Sequence, residues 1–422
     1  MTFPRYSSYK DSGVGWLGRV PEHWEVWTLK RIVSMQSGEA ITTDNISEVG
    51  EFAVYGANGL RGYTSSYTHD GDFVLIGRQG ALCGNVNYAR GKFWASEHAV
   101  VATHRKDIDS IWLGETLRAM NLNQYSIAAA QPGLSVDLIG RLGVGVPPLA
   151  EQQRIAAFLK RDTARIDELV AEQERLIELL KEKRHAVISH AVTKGLNSNA
   201  AMKPSGIAGI GDVPVHWRVT KMKWVAKMES GHTPDKKVPT YWDGDVPWVS
   251  LNDTGFLKGN EYISDTAYNI TELGIANSSA HLLPARVVVF SRDATIGRCA
   301  ITTRPMAVSQ HFIGWVCGDT MIPEFLLLRL RSMTQELERL TTGATVKTIG
   351  MPEVRTLVAT VPPVHEQQAI LNWVRDETAT IDALVAEADR AIVLLQERRA
   401  ALISAAVTGQ IDVRGYRETK AA

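Results

Sequence analysis

Three glycines near the start of the chain have the spacing of a loop that cradles phosphate. They lie at positions 13, 15 and 18 in the stretch "GVGWLGRVPEHW". In dinucleotide-binding enzymes this loop follows a strand directly and opens a helix, whose N-terminus faces the pyrophosphate. Here the glycines follow a polar segment, "PRYSSYKDS", and lead into Val20 and Pro21. The context therefore argues against a cofactor loop.

A second copy of the stretch shows which of its residues matter. "GIAGIGDVPVHW" begins at Gly206, and its residues lie 193 positions (205 − 12) after their counterparts. The glycine spacing differs between the copies, whereas Val-Pro-x-His-Trp is the same. We interpret Trp24 and Trp217 as anchors of a domain core. For His23 and His216 we expect a core hydrogen bond, because neither has a second histidine at metal-ligand spacing or a recurring acid–base partner.

Other catalytic arrangements are also missing from the sequence. Adenine methyltransferases resemble one another in an Asn or Asp followed by Pro-Pro and an aromatic residue, which holds the flipped base. The two Pro-Pro pairs of this chain, at 147–148 and 362–363, follow Val and precede Leu or Val. No G-x-S-x-G nucleophile elbow occurs, and the three cysteines form no C-x-x-C pair. The sequence therefore predicts neither catalytic residues nor a metal site.

The duplication extends along almost the whole chain. Residues 75–86, "LIGRQGALCGNV", resemble residues 289–300, "VFSRDATIGRCA", so that Arg78 is paired with Arg292. Residues 146–159, "VPPLAEQQRIAAFL", match "VPPVHEQQAILNWV" at an offset of 215 (362 − 147). The second copy has therefore gained 22 residues (215 − 193) in its middle. Each copy is too long for a solenoid repeat, so the sequence predicts two copies of a domain followed by a helix.

Both predicted helices carry a heptad pattern, with mostly apolar residues alternately four and three apart. The predicted seam consists of Leu159, Ile166, Leu169, Leu176, Leu180 and Val187 in the first helix and of Val374, Ile381, Leu384, Leu395 and Leu402 in the second. Polar residues interrupt it at equivalent places, Asp162 with Glu377 and Lys183 with Arg398. We expect an antiparallel coiled coil in which Asp162 approaches Arg398 and Glu377 approaches Lys183. The alternative is a helix packed on its own domain, but a rod of roughly 60 Å exceeds what such a domain needs.

The globular parts show strand-like apolar runs bounded by glycine-rich loops, which indicates mixed α and β structure. Strands are predicted at residues 72–76, 97–103 and 286–290, and helices at residues 110–121 and 323–340. A chain of 422 residues suits two or three domains.

Polar side chains on the predicted loops suit the recognition of bases. Arg binds guanine and Asn or Gln binds adenine through paired hydrogen bonds in the major groove, and Lys contacts phosphate. The candidates are Asn58, Arg61, Arg78, Gln79, Asn85, Lys236, Lys237, Asn252, Arg292, Arg298 and Lys347. Arg78 and Arg292 are favoured because both copies share their position, while ordinary loop solubility is the alternative for each residue. The chain has 46 basic and 46 acidic residues, so DNA binding needs local patches or a partner that supplies positive charge.

The paired motifs resemble those of one family, the specificity subunits of type I restriction-modification enzymes. The resemblance covers nearly the whole chain and rests on "GRVPEHW" and "GDVPVHW", on "VPPLAEQQ" and "VPPVHEQQ", and on helices that end in "ISHAVTKG" and "ISAAVTGQ". It implies an α+β protein with two mixed α/β target-recognition domains in tandem, separated by two long helices that form an antiparallel coiled coil, in a pseudo-twofold repeat. The implied bounds are 1–150 and 205–363 for the domains, 151–197 and 364–411 for the helices, and 412–422 for a tail.

The resemblance also implies a function and partners. Each domain would bind one half of a bipartite double-stranded DNA target, while the helices fix the spacer and bind two modification subunits. The chain itself would be non-catalytic and bind no cofactor, S-adenosylmethionine would be held by the modification subunit, and restriction or translocase subunits would join through the complex. No apolar run approaches the roughly 20 residues of a membrane span, so we expect a cytoplasmic protein without a membrane partner. The alternative function is a coiled-coil scaffold with two protein-binding heads.

Overall fold

The computed structural model describes residues 3–80, 82–126, 133–207, 209–343 and 347–416. Residues 417–422 of the predicted tail lie outside the described residues. The chain divides into two compact units: unit 1 comprises Met1–Glu174 and Asp389–Ala422, and unit 2 comprises Arg175–Ala388. Each unit therefore contains one globular portion and a part of each long helix. Among the described residues, no helix is both long and apolar enough to cross a membrane.

The described residues of unit 1 before the first long helix form twelve strands and three short α-helices. The strands are β1 (Tyr9–Asp11), β2 (Arg19–Pro21), β3 (Glu25–Thr28), β4 (Val33–Ser37), β5 (Phe52–Gly56), β6 (Gly59–Thr64), β7 (His69–Asp70), β8 (Phe73–Gly77), β9 (Val86–Ala89), β10 (Lys92–Ala95), β11 (Ala99–His104) and β12 (Gly143–Val146). The helices are α1 (Leu29–Ile32), α2 (Ser110–Ala119) and α3 (Val136–Arg141). One sheet has the antiparallel order β4-β11-β8-β9, and a second has the order β6-β5-β10-β7 with β5 and β10 parallel.

The first long helix, α4 (Leu149–Lys194), runs from unit 1 into unit 2. Unit 2 contains the strands β13 (Met202–Pro204), β14 (Asp212–Pro214), β15 (Arg218–Lys221), β16 (Ala226–Ser230), β17 (Trp242–Val249), β18 (Tyr262–Ile263), β19 (Asn269–Ile270), β20 (Val288–Ser291), β21 (Cys299–Thr302), β22 (Ala307–Val308), β23 (Phe312–Cys317) and β24 (Val358–Val361). Its short helices are α5 (Thr254–Leu257), α6 (Glu272–Ala276), α7 (Pro323–Ser332), α8 (Thr334–Leu340) and α9 (Met351–Val354). The second long helix, α10 (Val364–Val407), begins in unit 2 and ends in unit 1.

The two units share one topology, which confirms the predicted duplication. The sheet β16-β23-β20-β21 of unit 2 has the order of β4-β11-β8-β9 in unit 1, with β18 added at its edge. The parallel pair β17-β22 corresponds to β5-β10, and the antiparallel pairs β15-β24 and β13-β14 correspond to β3-β12 and β1-β2. Both units are therefore mixed α/β, as predicted.

The apolar runs of the sequence form central strands that are buried on both faces. In β8, Val74 and Ile76 belong to the main core of unit 1, whereas Leu75 packs in a second cluster with Phe93. Side chains of a strand alternate between its faces, so a run without polar residues marks a strand covered on both sides. The helix predicted at residues 323–340 is two helices, because α7 ends at Ser332 and α8 starts at Thr334.

The long helices pair antiparallel. In unit 1, residues near the start of α4 (Ile155, Leu159) and near the end of α10 (Ile403, Ala406) share one core. In unit 2, the end of α4 packs in the same core as the start of α10. The Arg399 Nε donates to Asp167 Oδ1 (2.8 Å) in unit 1, and Arg184 Nε donates to Asp382 Oδ1 (3.1 Å) in unit 2.

These two ion pairs differ from the pairs predicted by the sequence. Asp162 pairs with its neighbour Arg161 instead of Arg398, and the predicted pair of Glu377 with Lys183 is replaced by the pair of Asp382 with Arg184. The two aspartates are 215 residues apart in the sequence, and the two arginines are also 215 residues apart (382 − 167; 399 − 184). The cross-helix contacts therefore obey the internal duplication, in a different register.

The seam lies partly on other residues than those predicted. Leu159, Ile166, Leu180, Val374 and Ile381 are buried, as predicted, and Val187, Leu395 and Leu402 are half-buried. Leu169, Leu176 and Leu384 were predicted in the seam but are 38%, 42% and 47% exposed. Their neighbours Val170, Ile177 and Val385 are buried or half-buried instead. From Leu159 the seam steps first by four residues and then by three, the opposite alternation to the predicted one.

The repeated motifs of each copy meet at a glutamate on the first turn of its long helix. The Glu151 carboxylate accepts hydrogen bonds from Trp24 Nε1 (3.0 Å) and Tyr6 Oη (2.6 Å), and its other oxygen lies 2.7 Å from His23 Nε2. Burial and the neighbouring carboxylate raise the pKa of Tyr6 far above its usual range, so the phenol stays a donor.

Unit 2 repeats this contact. Glu366 accepts from Trp217 Nε1 (2.9 Å), and its other oxygen lies 2.7 Å from His216 Nε2. Both histidines make the expected hydrogen bond, but their side chains are 39% and 51% exposed and do not belong to the core. Trp24 and Trp217 are confirmed as core residues, since both indoles are fully buried. The recurring acidic partner of the histidines, however, was missed in the sequence.

The glutamine after each glutamate ties the helix to the domain as well. Gln152 Nε2 donates to the carbonyl of Pro147 (2.9 Å), and Gln152 Oε1 accepts from the backbone N–H of Asp109, the N-cap of α2. Gln367 makes the equivalent contacts with Pro362 and with the N–H of Ile322, the N-cap of α7. The Glu-Gln pair thus joins the start of each domain, its main helix and its long helix.

A glycine at the end of each long helix packs against a motif tryptophan. Gly195 and Gly409 both have a positive φ (76° and 75°), which ends a helix without strain only for glycine. A Cβ on Gly409 would lie 2.4 Å from Pro21 Cδ, and one on Gly195 would lie 3.1 Å from Trp217 Cζ2. The end of α10 therefore packs against the motif residues of unit 1, just as the end of α4 packs against those of unit 2.

The position of the seam can be tested with two neighbouring residues. Replacing Ile177 with alanine should destabilise the protein by about 2–5 kcal/mol, the usual cost of a buried aliphatic side chain. The same change at the exposed Leu176 should cost less than about 0.5 kcal/mol. Urea unfolding followed by circular dichroism measures both, and equal losses would contradict the observed alternation.

The glutamate contact can be tested by an isosteric change. Glu151→Gln keeps the shape but replaces one acceptor oxygen with an NH2 donor that faces other donors, so we expect a loss of about 1–3 kcal/mol. Glu178→Gln, on the exposed side of the same helix, is the matched control. A shared urea midpoint for both variants and the parent protein would show that the contact does not support unit 1.

Candidate nucleic-acid interface

In unit 1, two candidate loops lie side by side. The turn between β5 and β6 carries Asn58, and the loop between β8 and β9 carries Asn85, whose Nδ2 donates to Asn58 Oδ1 (2.9 Å). The loops approach closely, since a Cβ on Gly77 would lie 2.3 Å from the carbonyl oxygen of Ala57. The structure therefore brings together two exposed amides that are 27 residues apart in the sequence.

Three further candidates of unit 1 lie on or beside these loops. Arg78 Nη1 donates to Ser37 Oγ (2.9 Å), and Gln79 Oε1 lies 3.0 Å from His98 Nδ1. The aliphatic part of Arg61 packs over Gly56, where a Cβ would lie 2.5 Å from Arg61 Cδ, while the residue as a whole is exposed.

Arg292, the counterpart of Arg78, is committed to structural contacts. Its Nε donates to the carbonyl of Gln310 (3.1 Å) and its Nη1 to the carbonyl of Ile349 (3.0 Å), and its side chain is 20% exposed. The backbone N–H of both arginines donates to a histidine carbonyl, that of His98 or of His311. The position shared by the two copies is therefore explained by loop attachment, which identifies Arg292 as a positioning residue.

Lys236 and Asn252 line one depression on unit 2, which we call the tryptophan hollow. Its volume is about 490 Å³. It is lined by Thr233, Lys236, Trp242, Asp243, Trp248, Ser250, Leu251, Asn252, Tyr268, Ser309, Gln310 and His311. Lys237 is exposed beside it but does not line it. Trp242, Trp248 and Tyr268 were not among the residues predicted from the sequence. The two tryptophans lie on β17, the counterpart of β5, and Tyr268 lies in the longer segment that follows it.

Arg298 and Lys347 line another depression on unit 2, which we call the basic hollow. Its volume is about 890 Å³, and its charged lining residues are Arg184, Lys258, Arg298, Arg331, Lys347 and Glu338. Because Arg184 is paired with Asp382, four cations are left to face one carboxylate, on a chain with no net charge. Such a local patch attracts a polyanion.

The cysteines of unit 2 are not poised for nucleophilic chemistry. Burial raises the pKa of the Cys299 thiol to about 11 and that of the Cys317 thiol to about 12. Because the thiolate is the reactive form, both groups are unreactive at neutral pH. The arrangement on the described residues suits binding by hydrogen bonds, aromatic contact and charge.

Comparison with known proteins gives a family match over most of the chain. The family described as "Type I restriction modification DNA specificity domain" matches residues 21–179 and 214–384, one match for each copy of the duplication. The specificity subunit of the type I restriction enzyme EcoprrI from Escherichia coli is 46% identical over 138 residues. That alignment covers 32% of this chain and spans 34% of the length of the Escherichia coli subunit.

Two other similarities cover nearly the full chain. The type I restriction enzyme MjaVIII specificity subunit from Methanocaldococcus jannaschii is 21% identical over 417 residues, which cover 94% of this chain and 95% of that subunit. A solved chain, described with the complex assembly and conformational transition of the type I R-M system, has a TM-score of 0.67 at 16% identity. It covers 92% of this chain and 98% of its own length, which shows a shared fold.

Proposed function

This chain belongs to the family of type I restriction modification DNA specificity domains, and on that premise we propose that it is the DNA-recognition subunit of a type I restriction-modification complex. Each unit binds one half of a bipartite double-stranded target. The observation that carries this proposal is a single topology present twice, with different side chains on equivalent loops. Two copies with one frame and different loops suit two half-sites of different sequence.

The charge distribution supports DNA as the ligand. The basic hollow suits phosphate contacts, with Arg298 and Lys347 as exposed or half-buried cations. The exposed amides of Asn58, Asn85 and Asn252 suit base edges. Since the whole chain is neutral, the modification subunits supply further positive charge to the duplex.

We propose that the chain contributes no catalytic group. Methyl transfer and the S-adenosylmethionine it needs belong to the modification subunit, and the restriction or translocase subunits join through the complex. The hydrogen bonds of His23 and His216 to buried or half-buried glutamates and the protonated thiols support this division. A complex that acts on cellular DNA places the chain in the cytoplasm.

The long helices set the spacer between the half-sites. α4 has 46 residues, which corresponds to about 69 Å at about 1.5 Å per residue. Half-sites one helical turn apart are separated by about 34 Å along the duplex, so a helix of this length is sufficient. Its continuity makes the spacing depend on the number of residues between the domains.

The same helices offer equivalent surfaces to two modification subunits. Three pairs of apolar residues, each 215 positions apart, are exposed on both helices: Leu149 and Val364, Leu169 and Leu384, and Leu179 and Leu394. Exposed apolar residues that recur at one offset mark a contact surface better than scattered ones do. Their repetition supports two copies of one partner.

The function can be tested by exchanging one reader and shortening the helices. Replacing residues 15–150 with the corresponding segment of another family member should change one half-site only. Deleting residues 170–176 and the facing residues 390–396 should shorten the preferred spacer and leave both half-sites unchanged. Sequencing methylated sites in cells that express the complete system measures both outcomes. A complex without preference for any split sequence would favour the scaffold alternative.

The docking surfaces can be tested with added charge. Leu179→Glu or Leu394→Glu should each leave one modification subunit bound, and the double variant should leave none, because a carboxylate replaces an apolar contact. Native mass spectrometry of the reconstituted complex counts the subunits. Gln396→Glu adds the same charge two residues from Leu394, on another face of α10, and should leave both subunits bound. Two bound subunits in the double variant would contradict this assignment.

A further inference from the structure

The tryptophan hollow lies in a region where the two units differ in sequence and length. Most of the additional residues of the second copy fall between β17 and Arg292, because the offset is 194 at Trp248, which has the register of Val54, and 214 at Arg292 (248 − 54; 292 − 78). Tyr268 lies in this longer segment, whereas Trp242 and Trp248 lie on β17, the counterpart of β5. Unit 2 thus lines the hollow with two tryptophans on a shared strand and a tyrosine from its longer segment.

The two indoles are held rigidly. Their ring centroids lie 5.2 Å apart with the planes at 86°, so one ring presents its face where the other presents its edge. Trp242 Nε1 donates to the carbonyl of Asp235 (3.2 Å), and Trp248 Nε1 donates to the carbonyl of His232 (3.0 Å). Since both N–H groups are used and Trp248 is buried behind its neighbour, the half-buried ring of Trp242 is the indole that offers apolar surface to a ligand.

A buried hydroxyl in the lining has no partner. Ser309 is fully buried and lines the hollow, and its Oγ finds no hydrogen-bond partner in the described part of the chain. Its counterpart in unit 1, Ser96, is equally buried but accepts from the backbone N–H of His98 (3.4 Å). An unpaired buried polar group requires a reason, and a ligand in the hollow would pair it.

The rim adds charge and amide groups. Lys236, Asn252 and Gln310 are exposed around the same opening. The exposed carboxylate of Asp243 also lines the hollow. The hollow therefore combines aromatic walls, an unpaired hydroxyl, amides, an ammonium group and a carboxylate. A nucleotide matches each of these: its base has a π-face and a polar edge, and its phosphate is anionic.

The concave shape of the hollow indicates whether it binds a stacked base or an extruded one. In an intact duplex, base edges are reached by elements that project into a groove, whereas a depression of about 490 Å³ has the size of pockets that enclose a small molecule, roughly 300–1,000 Å³. Resting on the proposed function, we propose that the tryptophan hollow takes up a nucleobase that has left the stack of the half-site bound by unit 2. This base is distinct from the base that the modification subunit methylates.

Removing the opposing base tests the proposal. When a base need not be unpaired, a protein that extrudes it binds more tightly. In the complete complex with modification subunits, abasic analogues are placed one at a time on both strands of the half-site bound by unit 2. We expect affinity to rise by roughly tenfold at one position other than the one opposite the methylated base.

Variants then link this gain to the hollow. Ser309→Ala removes an unbonded hydroxyl and Tyr268→Ala removes an exposed wall residue, so both should fold and both should lose the tenfold gain. Ser96→Ala, at the equivalent position of unit 1, and Trp224→Ala, an exposed aromatic of unit 2 outside the hollow, should keep it. Arg298→Ala should weaken binding to all substrates and preserve their ratio.

Four results would overturn the proposal and identify what failed. If the complex prefers a split sequence but no other position gains, the hollow does not take up a base and the proposed function stands. If a variant of the hollow keeps the gain, another surface holds the base. If the complex has no sequence preference, the proposed function itself fails. Titration with the four deoxynucleoside monophosphates tests whether the hollow binds a free nucleotide instead. That is the conclusion if a monophosphate quenches tryptophan fluorescence, Tyr268→Ala abolishes the quenching, and no abasic position raises the affinity for DNA.

Discussion

The architecture depends on a carboxylate at the start of each long helix that is satisfied by the start of its own domain. Glu151 is 5% exposed, and a charged group removed from water is tolerated only when donors surround it. Those donors come from His23, Trp24 and Tyr6, more than a hundred residues away. The helix cannot keep this charge unless the first strands are in place. The direction in which α4 leaves unit 1 is thereby fixed by a few hydrogen bonds rather than by a flexible linker.

This constraint separates a fixed part of each unit from a variable one. The Glu-Gln pair, the motif tryptophan and the sheet around β8 or β20 are the same in both copies. The loops at the other end of these strands differ, and unit 2 adds β18 and the longer segment that lines part of the tryptophan hollow. A frame anchored at the helices tolerates such changes because the loops carry little of its packing. The loops can then change without disturbing the contacts between each domain and its long helix.

The repeated features of the chain could be predicted from its sequence. Contacts between residues that are far apart in the sequence could not. The two domains, the antiparallel helices and the burial of Trp24 and Trp217 followed from duplicated motifs and heptad spacing. The partner of His23 was missed because Glu151 is 128 residues away, and pattern analysis shows only local neighbours. The seam was predicted one residue early at Leu169, Leu176 and Leu384. In these helices apolar residues occur both when the steps from Leu159 run three then four and when they run four then three, so the spacing alone did not distinguish the two. Arg292 has the position expected of a base contact, yet its hydrogen bonds hold two loops. Asn58, Asn85 and the remaining polar candidates stay predictions.

The shared core of unit 1 has a consequence for the order in which the protein matures. Unit 2 is one continuous segment, whereas the core of unit 1 includes Ile403, Ala406, Val407 and Val413. During translation, the residues of unit 1 that precede unit 2 are synthesised before it but lack these four side chains until the end of α10 has been made. Unit 2 has all its residues earlier. Unit 1 is therefore begun before unit 2 and completed after it, and its core lacks part of its packing in the meantime.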